Sequence, residues 1–239
     1  MRLDGGLATT LQKQGLRPFT SVDDWVLTRP DDVEAVHRAF TRAGAEVVLT
    51  GTFMAVPHRR GDWANVVDRA VSLASRAVAG TGAQMWGSLG SAGLPGEYAV
   101  VASRMADRVS GVALETFVDA GAAVAAVREV RRAFPGLPIA ATLVPRADGR
   151  LWDGSEPSPA LDALRAAGAT FVGFNCAPPS AVAAAVARAP CDWVKPNRGE
   201  LGRDAWAAVV RAIPAAHVGG CCGVEPEDLA SLWGDALHR

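Results

Sequence analysis

The sequence has no excess of charge of either sign: 24 Lys and Arg stand against 25 Asp and Glu in 239 residues, a formal net charge of −1. So balanced a chain offers no electrostatic footprint for a polyanion, so no nucleic acid is expected as a partner. It lacks any uninterrupted apolar run of the roughly 18 residues that a membrane span needs. Met1 to Gly6 carries Arg2 and Asp4 with no hydrophobic segment behind them, so no signal segment and no membrane association are expected, and a cytoplasmic location is. No Cys-x-x-Cys occurs, which argues against a redox dithiol. Asp4-Gly5-Gly6-Leu7-Ala8 lacks the third glycine of the dinucleotide fingerprint, and Thr50 stands where an acidic ribose ligand would follow the second strand. A nicotinamide site is therefore set aside.

Hydrophobic residues make up 49% of the chain and charged residues 21%, a composition suited to one large core, so residues 1–239 are expected to form a single domain. Short apolar stretches ending in Gly, Thr, Asn or Cys alternate with longer Ala-rich helical stretches, the pattern of βα units. Strands are expected at Arg2–Asp4, Glu46–Thr50, Gln84–Gly87, Gly111–Leu114, Ile139–Leu143, Phe171–Asn175, Asp192–Lys195 and Ala216–Gly219. Helices are expected at Asp31–Arg42, Ala64–Val78, Glu97–Asp107, Ala122–Phe134, Ala160–Ala167, Ser180–Arg188, Asp204–Arg211 and Pro226–Leu237. Ala43-Gly44-Ala45 and Ala167-Gly168-Ala169 are helix stops in which Gly can take the left-handed position. Eight such units fit an α/β fold, a single (β/α)8 TIM-type barrel with shortened loops.

In such a barrel the strand C-terminal ends face the active-site mouth. Here they read Asp4-Gly5-Gly6, Thr50-Gly51-Thr52-Phe53, Glu115-Thr116-Phe117, Asn175-Cys176, Lys195-Pro196-Asn197 and Gly219-Gly220-Cys221-Cys222-Gly223. Three of the four cysteines fall on two of these ends, while Cys191 begins a strand and is expected in the core near the opposite face. The two Cys-bearing strands are separated by one neighbour, so at about 4.8 Å per strand their tips can meet over the mouth. Successive residues on a straight strand point opposite ways, so Cys221 and Cys222 converge only if the backbone turns, and the flanking glycines permit that. Three thiolates are soft ligands that select zinc, and three protein ligands leave a fourth tetrahedral position open, the pattern of a catalytic centre. His37, His58, His217 and His238 make no competing set.

The segments Leu3-Asp4-Gly5-Gly6-Leu7-Ala8-Thr9, Glu115-Thr116-Phe117, Gly173-Phe174-Asn175-Cys176, Lys195-Pro196-Asn197-Arg198-Gly199-Glu200 and Gly219-Gly220-Cys221-Cys222-Gly223-Val224 together resemble the homocysteine S-methyltransferase family. The resemblance runs in order through essentially the whole chain. It implies that Cys176, Cys221 and Cys222 hold Zn2+ and that homocysteine sulfur takes the open position. It places Asp4 and Glu115 around the amino end of homocysteine, and Asn175 and Asn197 as amides near the site. Thr52 and Phe53 match the family's Thr-x-Thr-Phe region. Two departures stand out: Thr10 sits where Glu is usual, and the third βα unit, Gly90 to Gly111, is compressed.

The reaction implied is transfer of a methyl group from a sulfonium donor, such as S-methylmethionine or S-adenosylmethionine, to homocysteine, giving methionine. A cationic donor favours an aromatic wall, for which Phe53, Trp86, Trp152 and Tyr98 are candidates and Trp86 the first. A sulfonium donor is expected over a folate or corrinoid one, because 239 residues leave no room for an added methyl-carrier module, and betaine stays open as a donor. The alternatives are zinc-dependent alkyl transfer to another thiol or selenol, a non-catalytic homocysteine- or zinc-binding protein, and a phosphate site on the late-barrel glycines. The sequence sets no oligomeric state.

Overall fold

A computed structural model describes residues 1–18 and 20–234. Seven parallel strands follow one another round a single sheet in chain order: β1 (Val47–Leu49), β2 (Gln84–Gly90), β3 (Gly111–Phe117), β4 (Ile139–Leu143), β5 (Phe171–Asn175), β6 (Trp193–Lys195) and β7 (His217–Val218). The expected first strand is reduced to two bridging residues. Arg2 pairs in parallel with Val218 and Leu3 with Val47, so this short segment joins β7 to β1 and closes the barrel. The chain passes on into Gly5 and Gly6 before it can extend the ladder.

The helices are α1 (Leu7–Lys13), α2 (Val22–Thr28), α3 (Pro30–Arg42), α4 (Trp63–Val78), α5 (Glu97–Ser103), α6 (Ala120–Ala133), α7 (Pro157–Ala166), α8 (Pro179–Arg188), α9 (Arg203–Arg211) and α10 (Pro226–Trp233). Neither α1 nor α2 was foreseen. Each is two turns long and too short for a periodic apolar stripe, although Ser21 caps α2 by accepting the Asp23 N–H and Asp23 and Asp24 occupy its first turn. Helix α5 ends at Ser103, short of the expected Asp107, in keeping with the compressed third unit. The expected end of the last helix, Leu237, lies outside the described residues, as does His238.

Strands buried on both faces read as nearly continuous apolar runs, as β1 and β4 do. The outer faces pack on the helices in one large cluster, and a second, smaller cluster of Leu3, Val47, Leu49, Trp86, Ala113, Ala140 and Trp193 fills the barrel interior. Two residues beyond Trp86, Ala113, Ala140 and Trp193, on the same face, stand Ser88, Glu115, Thr142 and Lys195, and Asn175 stands two beyond Gly173, all five buried. The period of two thus stacks a polar ring directly on an apolar floor. Gly111 makes room for that floor, since a Cβ there would lie 2.8 Å from the Trp86 ring.

Candidate active site

Cys176 follows β5 with φ of 55°, a left-handed conformation that takes the chain out of the strand, and its N–H donates to the Lys195 carbonyl at 3.1 Å. After β7 the backbone turns as the paired cysteines require. Gly220 N–H donates to the Asp4 carbonyl, Cys221 N–H to the Pro196 carbonyl, and Val224 N–H closes the turn on the Cys221 carbonyl at 3.1 Å, with Gly223 at φ of 79°. Cys222 N–H donates to Asn197 Oδ1 at 3.0 Å. Loops from β5, β6 and β7 therefore lock one another by backbone bonds, and three sulfurs meet.

The Sγ atoms of Cys176, Cys221 and Cys222 all lie within 4.8 Å of one another, and Cys176 and Cys222 are 3.8 Å apart. Tetrahedral zinc at about 2.3 Å from each sulfur requires separations of about 3.8 Å, so the donor set fits that ion in number, type and spacing. Packed together, the thiols cannot ionise independently. Sulfur hydrogen bonds from Cys176 and Cys221 hold the Cys222 thiol down to about 3. Cys221 pulls Cys176 the same way, but Cys222, burial and nearby negative charge outweigh it and push Cys176 up to about 12. Contact with Cys176 and Cys222, together with burial, raises Cys221 well above its ordinary value. A shared divalent cation would relieve that repulsion. Cys191 stands apart, buried at the other end of the barrel, where burial pushes its thiol up to about 12.

The sulfurs border a cavity of about 360 Å³ whose inner wall includes Asp4, Leu49, Ser88, Glu115, Thr116 and Lys195. Lys195 Nζ lies 2.6 Å from Asp4 Oδ1, both side chains being almost fully buried, and Asp4 Oδ2 accepts the Leu49 N–H at 2.8 Å. Burial alone would push the Lys195 ammonium down, but Asp4 and Glu115 together hold it above its ordinary value. Glu115 accepts the Ser88 hydroxyl at 2.7 Å, and burial raises its carboxyl despite the pull of Lys195.

Asn175 does not line the cavity. Its Oδ1 accepts the Thr116 N–H at 3.1 Å and the Thr142 hydroxyl at 3.0 Å, and its Nδ2 donates to Thr116 Oγ1 at 2.8 Å. This holds Thr116 at φ of 68°, and with it the end of β3 that carries Glu115. Asn197 likewise acts through Cys222. Thr52 is buried, sharing a hydrogen bond with Thr50 and donating to the Ser88 carbonyl at 2.6 Å. Of the aromatic candidates, Phe53 lines the cavity.

Trp86 does not: it is 2% exposed in the barrel floor, 5.3 Å from Trp193 between ring centroids, with its indole N–H on Gln84 Oε1. Strand periodicity puts it one inward layer below Ser88, which corrects the expectation that it walls a donor. Trp152 is exposed outside the cavity, and Tyr98 packs against Phe117.

Lys195, Ser88, Thr116 and Thr142 were not assigned roles from the sequence. For Ser88, Thr142 and Lys195 the signal was the two-residue alternation itself, which puts each above an apolar inward residue of its own strand, whereas Thr116 is out of phase with Glu115 and carried no such signal.

Residues 1–233 match the homocysteine S-methyltransferase family, and the chain belongs to it. The methionine synthase of Mycobacterium tuberculosis is 30% identical over a gapped alignment of 292 positions, covering 96% of this chain and 24% of that protein. The S-methylmethionine–homocysteine S-methyltransferase BHMT2 of Rattus norvegicus is 30% identical over 192 residues, 72% of this chain and 50% of that one. The chain thus spans between a quarter and a half of the length of these relatives. The metallated form of the Escherichia coli homocysteine methyltransferase MmuM superposes with a TM-score of 0.79 at 22% identity, over 97% of this chain and 94% of that one, and has the same barrel fold.

Proposed function

We propose that residues 1–239 form one homocysteine-binding barrel domain that transfers a methyl group from a sulfonium donor, S-methylmethionine or S-adenosylmethionine, to homocysteine. The observation that carries this reading is the convergence of three cysteine sulfurs at one edge of a small cavity, at spacings that suit zinc. Membership of the family and the activity in the name of the rat relative, an S-methylmethionine–homocysteine S-methyltransferase, support the acceptor and the donor class.

Cys176, Cys221 and Cys222 would hold the zinc, which supplies a lowered pKa to an acceptor thiol while leaving its sulfur nucleophilic. The transfer itself balances simply: the acceptor thiolate forms a sulfur–carbon bond to the methyl group, the donor's sulfonium–carbon bond breaks, and a neutral thioether leaves. Around it, Glu115 offers a buried carboxylate to the acceptor ammonium, oriented by Ser88. Asn175 positions Glu115 by way of Thr116, and Asn197 positions Cys222, through the bonds described above. Phe53 places an aromatic face beside the cavity for a cationic methyl group.

One observation favours a second reading, transfer to a thiol other than homocysteine. Asp4, matched by resemblance to the acceptor's amino end, is already paired with Lys195.

The test is anaerobic metal analysis of the parent chain and Cys176→Ala, coupled to methyl transfer from S-methylmethionine to homocysteine. About one zinc per chain is expected in the parent, with metal and activity both lost in the variant. Saturable transfer to another thiol, with none to homocysteine, would establish the second reading.

A further inference from the structure

The cavity continues outward from the sulfurs to a wall built by Leu7, Val22, Asp23, Phe53 and Met54, in which Asp23 is the ionisable side chain. The Asp23 side chain is 4% exposed. Its neighbours are Ser21, whose oxygen accepts the Asp23 N–H at 3.2 Å and whose hydroxyl hydrogen pulls the carboxyl down, and Arg60 Nη1 at 3.6 Å, beyond hydrogen-bond length.

Arg60 is committed elsewhere. Its Nε and Nη2 grip Asp62 at 2.6 and 3.0 Å, and Nη1 reaches Asp24 at 3.3 Å. One guanidinium thus faces three carboxylates, and the most buried of them receives the poorest contact. Burial raises the Asp23 carboxyl above its ordinary value against the pull of both Ser21 and Arg60.

A buried carboxylate with acceptor capacity left over is costly until N–H or O–H donors reach it. The open side of Asp23 is the cavity, and a carboxylate accepts more hydrogen bonds than Ser21 and Arg60 supply, so a ligand bound there can give it further donors. A sulfonium or quaternary ammonium centre carries positive charge but no N–H, whereas a primary ammonium has three.

We propose that Asp23 selects the methyl donor by accepting hydrogen bonds from the primary ammonium group of an amino-acid sulfonium. The inference rests on the methyl-transfer reading and gives the donor's amino-acid end a place in the cavity. Phe53 and the sulfurs would then face the reactive methyl end, and Asp23 the amino-acid end. Donors with no N–H, such as 3-(dimethylsulfonio)propanoate or a betaine, leave Asp23 unsatisfied.

The test is calorimetric binding of S-methylmethionine and of 3-(dimethylsulfonio)propanoate to the parent chain, Asp23→Asn and Asp23→Ser, alongside kcat/KM for both donors. Asp23→Asn is expected to weaken S-methylmethionine about 10- to 100-fold, the range of a hydrogen bond to a charged group. Binding of the propanoate donor should be unchanged in the same sample, which also reports that the cavity is intact. Asp23→Ser should repeat the pattern. Equal losses for both donors, or an undiminished affinity for S-methylmethionine, would overturn the proposal. Methyl transfer that persists while Asp23 proves indifferent defeats the proposal alone. Ammonium-selective binding without transfer to homocysteine defeats the functional reading alone, and binding of neither donor defeats both.

Discussion

Urea unfolding curves collected from about pH 7.5 down to about pH 4 should reveal one imidazole in the stability of this barrel. His37 lies on α3 with no solvent exposure, and neither ring nitrogen has a hydrogen-bond partner among the described residues. Burial lowers its pKa from 6.5 to about 4, against the weak opposing attraction of Glu34, whose carboxylate is already bonded to Arg38 and Arg76. The native ring is therefore neutral where the unfolded ring takes a proton. Above pH 6.5 neither state is protonated, and the contribution to stability is complete. As pH falls through the window between the two values, the unfolded state gains the proton first and stability drops, until the native ring also protonates near 4. At about 1.4 kcal/mol per pH unit, this window is worth about 3 kcal/mol. Other carboxylates titrate over the same range, so the measured quantity is the difference between the parent and His37→Leu, with His37→Gln as a second neutral variant. That difference should grow by about 3 kcal/mol in favour of either variant as pH falls. A difference that stays flat with pH would refute the reasoning.

Trp86→Ala should cost about 3 to 5 kcal/mol in urea unfolding, the range for emptying a large buried aromatic. Trp86→Phe should leave the KM for S-methylmethionine at its parent value, because the ring lies below the cavity rather than beside it. Lys195→Met should destabilise by about 3 to 5 kcal/mol by stranding Asp4 and Glu115 in the interior, and Lys195→Met/Asp4→Leu should recover most of that loss. Asn175→Ala should lower kcat about tenfold or more with a smaller change in metal content, since removing the amide frees Thr116 and the Glu115 end of β3 before it disturbs the sulfurs. Parallel kinetics and metal analysis separate the two effects.

The approximate places of the strands, most of the helices and the three cysteines were legible in the sequence because each depends on local pattern: apolar runs, Gly stops, and thiols at strand ends. The turn after β7 was legible too, because glycines flank Cys221 and Cys222. Two short helices escaped because two turns carry no periodic stripe. The first strand shrank because its role is to close a ring, a demand that only the neighbouring strands β7 and β1 impose.

At the site, residue types did not reveal layers. Trp86 and Ser88 are both near a strand end, and only the closed barrel decides that the first is floor and the second is wall. Lys195 is one of two lysines in the chain, yet nothing local says that its ammonium will be buried against Asp4, 191 residues away. Asp23 reads as an ordinary first-turn acid until packing takes it out of water beside an overcommitted Arg60. Composition and spacing determined the kind of fold and the thiol chemistry available to it, since both are properties of short stretches of chain. Which charges are paired and which are left open to a ligand was decided by tertiary structure alone, because electrostatic pairing and desolvation depend on distances through space.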